Sequence, residues 1–344
     1  MIIVTQKLQR LKWFNAENYE NTMQKWQNKV KGFILGICMA IIVIGVCYVI
    51  LSPLIGIVAN SIMSPRDIIN PMVFLLPNEP TLEHYGHAMT HMNFLTGNDI
   101  TISIPFTDVS FDILGGTIFS GTLARTMGFS VSFALLHVVI ASLVGYGFAR
   151  FNFPGRNFIF AMVIITIVVP VQVYIVPMFV NFRFFLGLDF NLLGSHWPLL
   201  FLTLTGLGLR SGLYIYIFRQ FFRGLPKEIE EAALIDGAGF FGTFIKVMMP
   251  NATPAIVTVL LFSFVWHYND TFYSSMLNPG NNLMAAMIGG VGSTFAQLEN
   301  INDPALEQLV VFAGVVLAIL PIMVIYLFLQ RYFVEGLERS GIVG

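Results

Sequence analysis

Six apolar runs, at 33–51, 126–149, 158–182, 196–218, 251–273 and 309–329, are long enough to cross a hydrocarbon layer of about 30 Å as helices rising about 1.5 Å per residue. Runs this long and this poor in charge do not belong to a soluble core, whose helices keep a polar stripe for water. The fourth is the least clean, because Arg210 interrupts it. Composition agrees: 11% of the 344 residues are charged, against roughly 25% in an ordinary soluble domain. The fold class is therefore all-α membrane protein with six transmembrane helices. A seventh stretch, 271–298, is nearly uncharged but holds Pro279, Gly280 and the cluster Gly289, Gly290 and Gly292. It reads as an irregular or re-entrant segment, which needs protein around its backbone at membrane depth.

Fourteen of the 18 basic residues fall before the first run, between the second and third, between the fourth and fifth, and after the sixth. By the positive-inside rule that side is cytoplasmic, and so are both termini. Residues 1–32 form a cytoplasmic N-terminal segment and 331–344 a cytoplasmic tail; the first run is too long for a cleaved signal and reads as a retained anchor. The external loop at 52–125 is the longest connection, and its alternating stretch at 101–119 predicts a short hairpin or ordered loop. The formal net charge of −1 leaves no basic surface for nucleic acid, so lipid is the surrounding partner.

Catalytic and cofactor motifs are missing from the sequence: no G-x-x-x-x-G-K-[ST], no H-E-x-x-H, no G-x-S-x-G. An energy source must come from another chain or an ion gradient. Cys38 and Cys47 lie nine residues apart, on opposite faces of a helix, and cannot pair with each other. The glycines of GLGLRSG, Gly206, Gly208 and Gly212, have no βαβ unit around them and read as tight helix packing. His84, His87 and His91 have the spacing of a zinc set on one helical face, but Gly86 weakens that helix and no fourth ligand is evident. The reading taken is a solvated helix without metal, with those three histidines as the weak candidate. His137, His196 and His267 read as separate packing residues.

The segment 219–250 carries the most information. Pro226 suits a first helical turn, Glu228 and Glu230 favour the positive end of a helix dipole, and Gly237 and Gly239 supply a stop. Leu225, Ile229, Ala232 and Ala233 are expected on one face, with Lys227, Glu230, Glu231 and Leu234 on the other, and a second short helix at about 241–248 ends before Pro250. This is a helix-turn-helix loop between the fourth and fifth spans.

The string EAALIDGAG followed by KVMMP resembles the EAA signature, E-A-A-x3-G-x9-I-x-L-P, of the membrane subunits of ATP-binding cassette importers. Glu231, Ala232, Ala233, Gly237 and Pro250 match in register, with Val247 and Met249 where Ile and Leu are usual. PTLEHY, FARFNFPGR, VVPVQVYIVP, WHYND and the carboxy-terminal QRYFVEGLERSGIVG extend the similarity to the maltose-type permeases of carbohydrate importers in the bacterial cytoplasmic membrane. A longer outer loop at 93–123 is the main departure.

The resemblance implies a heterodimer with a second permease, two cassette subunits that use ATP and Mg, and an extracellular solute-binding protein that delivers a sugar. The chain itself would bind no cofactor and catalyse nothing. Lys227, Glu230, Glu231, Ala232, Ala233, Asp236, Gly237 and Pro250 would form the loop that couples ATP hydrolysis to the spans, with Glu231 as the charged contact. Pathway candidates are Gln172, Tyr174, Arg210, Tyr214, Tyr216, Trp266 and Asn269, because aromatic faces and amides suit a sugar. Arg210 either reads an anionic sugar or pairs with Asp270 or Asp189. Two other readings compete: an ion-coupled carrier, for which the inverted repeats are not evident, and an intramembrane enzyme using His267, Asn269 and Asp270.

Overall fold

The computed structural model describes residues 2–96, 100–103, 110–113, 120–187 and 190–341. They divide into two compact units, residues 1–59 with 74–76, and residues 60–73 with 77–344.

The first unit is dominated by α1 (Ile2–Ser61), which joins the N-terminal segment and the first apolar run into one helix and continues past the expected end at residue 51. Pro53 lies inside it and cannot donate to the Val49 carbonyl; the Ser52 hydroxyl donates there instead, at 3.4 Å. The following residues are apolar, so nothing stops the helix. Its apolar stretch is exposed throughout.

In the second unit, α2 (Pro65–Ile69) and α3 (Glu83–His91) come before the long insertion. Asp67 draws the chain together by accepting from the Asn78 and Glu79 backbone N–H groups at 2.9 and 3.0 Å and from the Asn78 amide at 3.1 Å. The expected hairpin is present as β1 (Ile100–Ser103) and β2 (Ser110–Ile113), antiparallel with Thr101 opposite Asp112. Residues 97–99, 104–109 and 114–119 of the outer insertion lie outside the described residues.

The long helix α4 (Thr122–Arg150) is the axis of this unit. At its start the Thr122 hydroxyl donates to the Met92 carbonyl and the Thr122 N–H to the Asn93 carbonyl, tying it to the end of α3. Over 29 residues it carries the chain about 43 Å to Arg150. The third run is broken: α5 (Arg156–Val168) and α6 (Val171–Arg183) meet at Pro170 with a bend of 104°. The fourth is also broken, into α7 (Trp197–Leu204) and α8 (Ser211–Gly224), with Arg210 in the left-handed region at φ 60°.

After α8 come α9 (Lys227–Ile235), α10 (Phe240–Thr243), a wide π turn (Phe244–Met248) and the short α11 (Met249–Asn251). Pro250 therefore does not end the second loop helix, as the sequence suggested. It sits near the start of α11, where a missing N–H is tolerated. α12 (Thr253–Tyr268) follows at 79° to the segment before it. The 271–298 segment becomes α13 (Phe272–Leu277) and α14 (Met284–Leu298), and α15 (Pro304–Gly341) carries the last run straight into the expected tail. Among the described residues, three helices are long and apolar enough to span a membrane, or five if each bent pair is one span.

Three apolar cores hold the unit. One joins α3, α4, α12, α14 and α15 around Met92, Phe264 and Phe295; one joins α4, α8 and α12 with the π turn around Phe218, Phe222 and Met248; one joins α6, α7 and α13 around Phe182, Leu199 and Leu277. α4 and α8 approach closely because Gly145 has no side chain: a Cβ there would stand 2.7 Å from the Phe218 Cβ.

Candidate functional site

The loop from α9 to α11 has an inner face and an outer face. α9 ends in a Schellman turn, with Gly237 N–H donating to the Leu234 carbonyl and Ala238 N–H to the Ala233 carbonyl, at 3.1 and 3.0 Å. Gly237 has φ +85°, where a side chain strains the backbone, and Asp236 is the C-cap residue before it. Lys227, Glu231, Ala232, Asp236 and Pro250 are exposed and Ala233 is half-buried. Ile235, Phe240, Phe241 and Ile245 are exposed apolar residues on the same loop, Ile235 at 85%.

Glu230 is not on the outer face. The Tyr146 hydroxyl donates to Glu230 Oε1 at 2.6 Å, and Arg150 Nε stands 3.3 Å from Glu230 Oε2. Arg150 also donates through Nη2 to the Leu225 carbonyl at 2.8 Å, so the last turn of α4 grips both the α8–α9 junction and the middle of α9. The sequence reading placed Glu230 outward because an apolar count cannot register a polar partner on a distant helix. The half-buried stripe is instead Ile229, Glu230 and Ala233. Tyr146 and Arg150, one helical turn apart at the end of a span, were the available signal and were missed.

A cavity of about 760 Å3 lies where α5, α6 and α8 meet the chain after α12. Gln172, Tyr174, Arg210, Trp266 and Asn269 line it, as expected of pathway residues, together with Asp270 and Tyr273, which were not among them. Tyr214 and Tyr216 do not: Tyr214 is buried in the α4–α8–α12 core, and Tyr216 is partly exposed elsewhere, accepting from the Gln220 amide at 3.1 Å. The Arg210 guanidinium lies over the Trp266 ring at 4.3 Å, and the Tyr174 and Tyr273 hydroxyls are 2.8 Å apart. Asp270 is not an ion-pair partner of Arg210. Its carboxylate caps α13, accepting from Tyr273 N–H, Ser274 N–H and the Ser274 hydroxyl at 3.1, 2.8 and 2.6 Å. Asp189 lies outside the described residues.

The same geometry leaves no assembled catalytic group from His267, Asn269 and Asp270. Asp270 is occupied by its cap, and Asn269 Nδ2 donates to the Val265 carbonyl at 2.9 Å. His267 is buried, with Nδ1 2.8 Å from the Ser263 carbonyl oxygen. It is also not isolated: its ring centroid is 5.0 Å from that of His137, whose Nδ1 lies 3.2 Å from Ser263 Oγ and whose Nε2 lies 3.0 Å from Ser211 Oγ. This buried polar knot ties α4, α8 and α12 together. The three histidines of the 83–91 helix also part company. His84 is buried with Nε2 2.9 Å from the Met63 carbonyl oxygen, while His87 and His91 turn toward α14.

Comparison with known proteins adds the lineage. The family described as binding-protein-dependent transport system inner membrane component matches residues 137–339. The diacetylchitobiose uptake system permease protein NgcG of Streptomyces coelicolor is 28% identical over 292 residues, covering 85% of this chain and 84% of that protein. The maltodextrin transport system permease protein MdxG of Bacillus subtilis is 27% identical over 258 residues, 73% of this chain and 87% of that one. The arabinooligosaccharides transport system permease protein AraQ of Bacillus subtilis is 28% identical over 239 residues, 70% and 79% of the two chains. In fold, the chain is similar to a chain from the crystal structure of a bacterial ABC transporter involved in the import of the acidic polysaccharide alginate, with a TM-score of 0.62 at 22% identity over 87% of this chain and 96% of that one. The family match takes in α8, the gripped loop, α12 and most of the cavity wall, more than half of the sequence, and the chain belongs to the binding-protein-dependent transport system inner membrane components.

Proposed function

We propose that the chain is the permease subunit of an ATP-driven sugar importer that pairs with a second permease to form the transmembrane path. Its α9–α11 loop docks on one of two cassette subunits, which bind ATP and Mg, and an extracellular solute-binding protein delivers the substrate. The six spans in this reading are α1, α4, the bent pair α5–α6, the broken pair α7–α8, α12 and α15. The α9 end of α4 and both termini then face the cytoplasm, in keeping with the basic residues on that side. The exposed α1 run meets lipid or the second permease.

The observation that carries the reading is the two-sided loop. Glu230 is held by Tyr146 and Arg150 while Glu231, Ile235, Phe240 and Phe241 stand exposed around the Gly237 turn. A loop gripped by a span on one face and bare on the other can pass a partner's movement into the span. The cavity supports a sugar: its size falls within the about 300–1,000 Å3 of small-ligand sites, and Tyr174, Trp266 and Tyr273 offer aromatic faces and hydroxyls.

Reconstitution with its cassettes, second permease and binding protein tests the assignment. Saccharides that raise the melting temperature of the binding protein should stimulate ATP hydrolysis and enter the vesicles. Uptake by this chain alone under an ion gradient would instead establish a secondary carrier.

A further inference from the structure

We propose that His87, His91 and Glu299 form a binding site for a divalent transition cation, zinc by its donor set, which fastens α3 to the end of α14. His87 and His91 are one helical turn apart on α3, with their rings nearly parallel at 13° and their centroids 6.4 Å apart. Phe295 of α14 packs against both, at 4.8 and 5.5 Å, and fixes the two imidazoles on the α14 side. One turn beyond Phe295, Glu299 brings its Oε1 to 3.3 Å from His91 Nε2. One ligand atom from each of the three residues can be chosen so that all lie within 4.8 Å of one another.

The donor chemistry favours a metal over a salt bridge. Two imidazole nitrogens and a carboxylate are a known zinc set, and imidazole ligands suit zinc over magnesium or calcium. Zinc–ligand bonds of about 2.0–2.2 Å in a tetrahedron separate donors by about 3.4 Å. His91 and Glu299 already stand at that separation, and donors as far apart as 4.8 Å have to close by about 1.4 Å. His91 is nearly enclosed, with its side chain 6% exposed, whereas Glu299 at 48% and His87 at 31% are free to adjust. Glu83, with Oε1 3.8 Å from His87 Nε2, stands beside the open position as a fourth donor or the anchor of a bound water.

These residues sit at the Thr122 end of α4, away from the gripped loop, and none of them lines the cavity. The cation would be structural, a staple holding the 77–96 segment on the helical bundle.

The test uses the full chain purified with its partner subunits, freed of metal by a chelator and then dialysed against zinc or magnesium chloride. One zinc per chain should survive desalting, zinc but not magnesium should raise the melting temperature, and His91→Ala and Glu299→Gln should each weaken zinc binding tenfold or more. Cobalt in place of zinc should give the intense visible bands of tetrahedral coordination in the wild type, which keeps the test open if a variant fails to fold. Wild-type protein that retains no zinc and shows no cobalt bands would overturn the proposal. Equal zinc retention by folded Glu299→Gln would do the same.

Discussion

Cutting the grip of α4 on α9 should separate ATP hydrolysis from uptake while leaving the fold in place. The Tyr146 hydroxyl reaches Glu230 at 2.6 Å, the length of a charge-assisted bond, and such bonds are worth about 1.5–3 kcal/mol net. Tyr146→Phe removes that bond and keeps the ring against Phe222 and Phe244, whose centroids lie 5.6 and 5.1 Å away. At about 1.4 kcal/mol per factor of ten, the lower end of that range, fitting a bond at a half-open site, lowers the ratio of gripped to released α9 about tenfold. Glu230→Gln does more. Breaking a buried pair by neutralising one partner costs about 3–5 kcal/mol, and the Arg150 and Glu230 side chains are only 6% and 14% exposed. Arg150 keeps its bond to the Leu225 carbonyl, so the lower end applies, about 3 kcal/mol or roughly a hundredfold. In proteoliposomes carrying the full importer, molecules of sugar taken up per ATP should drop modestly in Tyr146→Phe and severely in Glu230→Gln, at unchanged membrane abundance. Because both residues act on one carboxylate, the double variant should be no worse than Glu230→Gln alone. Full coupling in Glu230→Gln, or losses that simply add in the double variant, would refute the grip.

Gly237→Val should strain the turn by about 1–2 kcal/mol through φ alone, since nothing lies within 4 Å of a Cβ at that position, and Gly237→Asn should do so less. Both should insert normally, with cassette co-purification weakened most in the valine variant; undiminished retention and uptake there would remove the turn from the mechanism. Arg210→Gln leaves Trp266 without its cation and should lower uptake without lowering abundance. Loss of the protein from the membrane would mark Arg210 as structural instead. For Asp67, the Glu79 N–H foremost, then the Asn78 groups and Ser64, hold the carboxyl below its usual 3.8 against the opposing effect of burial. A lowered folded pKa contributes stability above the unfolded value and loses it as pH falls through the folded one, so amide exchange at Asn78 and Glu79 should stay slow at pH 5 and quicken only below about pH 4. Asp67→Asn should make that exchange fast at every pH, and a wild-type transition near neutrality would contradict the assignment.

What the sequence made legible was what depends on local chemistry. The continuous spans α4 and α15 follow from uninterrupted apolar runs, and Gly237 from the demand of a left-handed turn. The breaks within the third and fourth runs were not legible by hydropathy, because α5 and α6 are apolar on both sides of Pro170 and the Arg210 turn is made by a residue with no preference for positive φ. Glu230 was misplaced for a related reason. A helical wheel fixes angles between neighbours but not which angle faces the protein, and that was decided by Tyr146, 84 residues away. The three-histidine spacing likewise could not show that His84 turns to the Met63 carbonyl, or that Glu299 comes beside His91 when α14 packs on α3.

The gripped loop and the cavity, read separately in the sequence, are joined by two helices. α8 begins at Arg210 on the cavity wall and ends beside the loop, and α12 begins beyond the loop and ends at Trp266 and Asn269 on the same wall. Their 14 and 16 residues make rods of about 21 and 24 Å. At their cavity ends the knot of His137, Ser211, Ser263 and His267 fastens both rods to α4, which itself holds Glu230. A shift of the loop therefore cannot move α4 without loading the two rods that carry the Arg210–Trp266 pair. In the proposed importer this is how a partner's closure at one end of α4 changes the shape of a sugar site that no cassette touches.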